Sequence, residues 1–290
     1  MSRDDLGMLP PRLCFSLISL IAIAGYNFWL KEGLEIQLII LIILIISTGL
    51  PHGAIDPGLA RKVGLWSGGS GLLKFSIGYL SISLMIVGFW FLLPELIIIS
   101  MLFLSAWHFS ADWIEYYPRP TCLAISTAVI CLPTLFYPTE CIEIFNVLAP
   151  MSSQMIVSAM ALLSIAVTLF VSFCILSSSK KNVAVMTELV ALLFAAIALP
   201  PIAYFTVYFC FLHSPLHLKN SLEKLGVFEI LLYAVPFTIL SMGGGAYLFM
   251  SLPRIEISYQ LMQVVFVGLF ALTVPHMLLI ALINQKQLES

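Results

Sequence analysis

Apolar runs of about 20 residues follow one another along nearly the whole chain, and charged residues make up only 10% of its 290 positions. A soluble domain carries about 25%, and a run of this length crosses a bilayer as an α-helix. The chain is therefore expected to be an all-α, polytopic transmembrane bundle, one integral membrane domain over 1–290 with no room for a soluble one. The first run, 13–30, lacks a small-residue cleavage site and ends at Trp29-Leu-Lys-Glu. It reads as a retained helix rather than a signal peptide. A net charge of −2 with no basic patch points to no nucleic-acid partner. The six cysteines are scattered in apolar surroundings without a C-x-x-C pair, as expected for small buried hydrophobes.

About ten spans can be drawn: 13–30, 35–55, 71–93, 95–116, 120–137, 154–177, 183–199, 201–219, 226–250 and 258–283. Only Pro200-Pro201 separates the seventh from the eighth, so these two form either a tight hairpin or one long broken helix. Ten alternating helices put Arg3, Arg12, Arg61, Lys62, Lys74, Arg119, Lys180, Lys181, Lys219, Lys224 and Lys286 on one side. Only Lys31 and Arg254 fall on the other. Positive charge concentrates in cytoplasmic loops, so both termini are expected in the cytoplasm.

All five histidines, His52, His108, His213, His217 and His276, lie inside or at the edge of these apolar runs. An ionisable side chain at membrane depth is costly and normally faces the bundle interior at a functional site. Imidazole is also the commonest metal ligand. The histidines fall on the second, fourth, eighth and tenth spans, which share one polarity, and near the cytoplasmic end of each. A metal centre built between helices is the reading that follows. His213 and His217 are four residues apart and share a helix face, as a bidentate clamp requires. Asp56 follows His52 by four residues, and Asp112 follows His108 by the same offset. A carboxylate so placed either accepts the second N–H of a ligating histidine, ligates the metal itself, or lies at the headgroups. His276 has no carboxylate at that offset, and packing between helices suits it nearly as well as ligation. Glu188 is a further buried carboxylate that either pairs with a histidine or lies at the interface.

Pro51, Pro215 and Pro275 flank these histidines and are expected to bend their helices and leave a cavity. Gly243-Gly-Gly245 is expected to interrupt the ninth span or permit close helix approach. Trp107, Phe109, Trp113, Tyr204, Tyr208, Phe209 and Phe211 crowd the histidines. They either pack as ordinary core and lipid-facing residues or line a channel for a long, flat, apolar substrate.

Imidazole suits Fe(II), Zn(II), Cu(II) and Ni(II) alike. Absence of H-E-x-x-H disfavours an intramembrane zinc hydrolase. A transporter or metal carrier with a histidine-lined ion site is the other alternative, though no repeat relates the two halves.

Pro51-His-Gly-Ala-Ile-Asp56, Trp107-His-Phe-Ser-Ala-Asp112, His213-Ser-Pro-Leu-His217 and Pro275-His-Met277 resemble, in order and spacing, the motifs of the Brp/Blh family. Those are the membrane-bound beta-carotene 15,15'-dioxygenases of bacteria and archaea that supply retinal to microbial rhodopsins. The resemblance covers residues 45–280, departing at Ser110, where a glycine is expected. It implies a multi-pass inner (plasma) membrane enzyme that cleaves the central double bond of beta-carotene with O2 into two retinal molecules. It further implies Fe(2+) held by His52, His108, His213 and His217. Asp56 and Asp112 would stand behind these ligands, with His276 as additional support or a fifth ligand. Membrane lipid and a microbial rhodopsin are the implied partners.

Overall fold

The computed structural model describes residues 11–29, 33–177 and 182–289, and among them every regular element is helical. Arg3, Lys31, Lys180 and Lys181 of the charge count lie outside the described residues. In chain order the helices are α1 Pro11–Trp29, α2 Leu34–Lys62, α3 Gly68–Leu92, α4 Pro94–Trp113, α5 Arg119–Phe136 and α6 Pro138–Leu148. They continue as α7 Ser153–Ser177, α8 Val183–Ala198, α9 over 201–224, α10 Val227–Ser251 and α11 Ile257–Glu289. Seven of these, α2, α3, α4, α5, α7, α10 and α11, are long and apolar enough to cross a membrane. The apolar parts of α1 and α8 are shorter.

Large apolar side chains cover the outer surfaces of α3, α7 and α10; Leu92, Leu162, Phe173 and Met250 are all exposed. Helices that are apolar all round need lipid rather than water as their outer solvent. The main core lies chiefly between α1, α2, α4, α5, α6, α7, α8, α9 and α11. A smaller cluster gathers Ile55, Leu59, Leu225, Ile230 and Leu279 at the end of α2.

Several local expectations are resolved by the packing. Leu199 and Pro200 are extended, so α8 and α9 are separate helices, with Pro201 opening the second. Between the fifth and sixth predicted spans lies a further short helix, α6. α6 buries Cys141, Ile144, Phe145 and Leu148, spaced for one helix face, and Trp90 donates its indole N–H to the Leu148 carbonyl. Gly243-Gly-Gly245 does not interrupt α10, and a Cβ at Gly243 or Gly244 would meet nothing within 4 Å. Arg12, one of the eleven cations assigned to the cytoplasmic side, is buried in an ion pair with Glu188.

Pro51 and Pro215 do not simply kink their helices. Each follows a single π-turn, Ile45–Gly49 in α2 and Phe209–His213 in α9. A proline removes one backbone bond and crowds the carbonyl four residues back. The wider π-turn accommodates both defects while the helix continues. Pro275 sits inside α11 without a break in the helix.

Candidate metal centre

The two π-turns face each other, and they carry His52 and His213 just beyond or at their ends. A Cβ on Gly49 would stand 2.8 Å from Phe209 Cε1, so only glycine lets the Phe209 ring lie there. That ring stacks on His213 at 5.6 Å between centroids and meets His52 edge-on at 5.8 Å. Gly49→Ala is therefore expected to push Phe209 against the histidines and to destabilise the fold by about 1–3 kcal/mol, the range for overpacking a core. A melting curve in detergent, compared with wild type, measures it.

α2, α4, α9 and α11 bring all five imidazoles together. Ring centroids are 4.5 Å apart for His213–His217, 4.9 Å for His108–His213 and 5.3 Å for His108–His276. His52 lies 5.6 Å from His213 and 5.7 Å from His276. His52, His108 and His213 each offer a nitrogen within 4.8 Å of the others, and Asp112, His213 and His217 form a second such group. His213 and His276 are buried; His52, His108 and His217 are partly so and leave the cluster open at its edge.

Each aspartate partners a histidine from another helix, not the one four residues before it. Asp112 lies 3.1 Å from His213 Nδ1 and 3.4 Å from His217 Nε2. Asp56 lies 2.9 Å from His276 Nδ1. An ionised carboxylate only accepts, so Nδ1 of His213 and of His276 carries the proton and Nε2 keeps its lone pair. Those two Nε2 atoms, with His52 Nδ1, are buried without a hydrogen-bond partner. Buried polar nitrogens are rarely left unpaired. Three such nitrogens beside two carboxylates suit a dipositive cation that accepts imidazole, whose charge balances both acids.

Two tyrosines complete the pattern. Tyr208 donates to Asp112 Oδ2 at 2.8 Å, and Tyr79 donates to Asp56 Oδ2 at 2.9 Å while lying 3.2 Å from the Leu272 carbonyl. The same Tyr–Asp–His chain is thus built twice. Sequence spacing marked Tyr208 only as an aromatic neighbour and did not mark Tyr79 at all. A lone tyrosine on the apolar helix α3 carries no periodic signal, and its partner Asp56 is on another helix.

Of the aromatics, Phe109, Tyr208 and Phe209 touch the cluster. Trp107 points outward at 61% exposure, and Trp113 donates to Glu188. Glu188 pairs with Arg12 rather than with a histidine.

No solved structure matches the chain significantly. The chain is 29% identical over 258 residues to a beta-carotene 15,15'-dioxygenase from the uncultured marine bacterium 66A03, covering 82% of this chain and 90% of the relative. A family model described as beta-carotene 15,15'-dioxygenase matches residues 43–284, from within α2 to within α11, which includes every histidine and both aspartates of the cluster. With more than four-fifths of its length matched, the chain belongs to the beta-carotene 15,15'-dioxygenase family of oxidoreductases.

Proposed function

We propose that the protein is a multi-pass inner-membrane enzyme that cleaves the central double bond of beta-carotene with O2 and releases two retinal molecules. The observation that carries this is the convergence of five imidazoles from four helices, with buried unpartnered nitrogens at its heart. In this reading His52, His108, His213 and His217 hold Fe(2+). His276 stands beside them, presented by Asp56 as His213 is presented by Asp112. Bound there, ferrous iron would supply the oxygen chemistry.

The chain's own residues bind, orient and exclude water. Asp56 and Asp112 hold the ring tautomers, and Tyr79 and Tyr208 hold the aspartates. Phe109 and Phe209 wall the cluster with apolar surface and keep water from reactive species. Beta-carotene is a long apolar polyene that partitions into the bilayer. An active site between helices takes it from lipid without extracting it into water, and retinal released there would supply a membrane partner such as a microbial rhodopsin.

In the same reading ten helices cross the membrane, with α1, α8 and α9 added to the seven named above and both termini in the cytoplasm. Support comes from the basic residues gathered at one end. Lys62 donates to the Lys224 carbonyl, Lys286 to the Val63 carbonyl, and Arg61 to Tyr233.

Expression in beta-carotene-producing bacteria, followed by pigment extraction, tests the proposal. Loss of orange colour with appearance of retinal is the expected result. Unchanged carotene in aerated cells holding folded, iron-loaded protein would refute it for this substrate.

A further inference from the structure

Among the described residues, Arg12 and Glu188 form a buried ion pair outside the histidine cluster. Arg12 is 7% exposed and Glu188 fully buried, within a chain that faces lipid. Arg12 Nη1 donates to both carboxylate oxygens, at 2.6 and 2.7 Å. Removing two charges from water generally costs more than the pair recovers, and two apolar side chains would pack α1 on α8 more cheaply. Some other task must keep the pair in place.

Its remaining contacts identify that task. Arg12 Nη2 donates to the backbone carbonyl of Asp112, and the guanidinium lies 4.6 Å over the Tyr116 ring. Glu188 accepts the Trp113 indole N–H at 2.8 Å. The pair thus grips three positions of the segment 112–116. That carbonyl is among the last of α4, where no further helical turn serves it, and a cation there also suits the helix dipole. Asp112 is the residue whose carboxylate meets His213, His217 and Tyr208. An apolar pair could hold α1 against α8 but could not hold this carbonyl.

We infer that Arg12 and Glu188 are positioning residues for the metal centre, fixing the Asp112 backbone and thereby the angle at which its carboxylate presents His213. The first helix, which lies outside the stretch shared with the family, is then part of the catalytic scaffold. The pair matters to the metal only if iron occupies the histidine cluster, so wild-type iron content is measured first. Iron-free wild type would defeat the iron reading itself, independently of Arg12.

Two variants test the clamp in full-length protein. Arg12→Lys keeps the charge, but one ammonium cannot span two carboxylate oxygens and the carbonyl as the guanidinium fork does. The double variant Arg12→Met with Glu188→Met removes both charges and leaves α1 packed. Both are expected to stay folded and to bind ferrous iron about tenfold more weakly by chelator competition, the scale for disturbing a ligand's outer partner. The ferrous–nitrosyl resonance spectrum should shift with them. A purely structural pair predicts instead that the double variant binds iron like wild type with an unchanged spectrum. Wild-type iron affinity in either folded variant, or failure of both to fold, would overturn the assignment.

Discussion

Replacing His213 by alanine is expected to remove both stoichiometric iron and retinal formation, with turnover falling by more than about 100-fold. That exceeds what loss of an outer hydrogen-bond partner costs. His213 is fully buried and is the histidine common to both close ligand groups among the described residues. Its Nδ1 is committed to Asp112, so its Nε2 is the atom left for a metal. Metal analysis of purified protein and chromatography of extracted retinal read the result. Wild-type iron content in this variant would remove His213 from the ligand set. His217→Ala is expected to act in the same direction. His276→Ala separates two roles: iron retained with slowed cleavage marks support, and iron lost marks ligation.

Asp112→Asn is expected to weaken iron binding by about 10- to 100-fold and to slow cleavage in parallel. The aspartate accepts from Tyr208 and from His213 Nδ1 while lying within reach of His217. An amide offers one oxygen where the carboxylate offers two, and its NH2 group donates. Turned toward His213, that donor would favour the tautomer with its proton on Nε2, which cannot ligate. The fold should survive, because the substitution is isosteric and leaves the backbone carbonyl to Arg12. Unchanged iron affinity, measured by chelator competition on folded protein, would count against the orienting role. Asp56→Asn applies the same change on the other side of the cluster, where His276 and Tyr79 are the acid's partners among the described residues.

Much of the molecule was legible before any coordinate. Ten per cent charge and repeated apolar runs leave a membrane helical bundle as the economical fold, because hydrocarbon admits few ways to satisfy a backbone. Histidines stand out for the same reason, since each is costly in an apolar run. Their offset of four between His213 and His217 is a local property of one helix, and such properties are written in sequence.

Partnerships between helices were not legible. The two His-x-x-x-Asp repeats suggested a carboxylate serving its own helix, yet Asp56 turns to His276 and Asp112 to His213. Glu188 found Arg12 across 176 residues of chain. Gly49 gained its meaning from a phenylalanine on α9. Prolines marked irregularity near the histidines, but only packing chose π-turns over kinks. Periodicity reports which face of a helix is apolar and says nothing about which helix that face meets. Sequence alone therefore determined a membrane bundle with five histidines set in or beside its apolar runs. Tertiary structure decided which acid holds which ring, because hydrogen bonds depend on ångström distances between segments far apart in the chain.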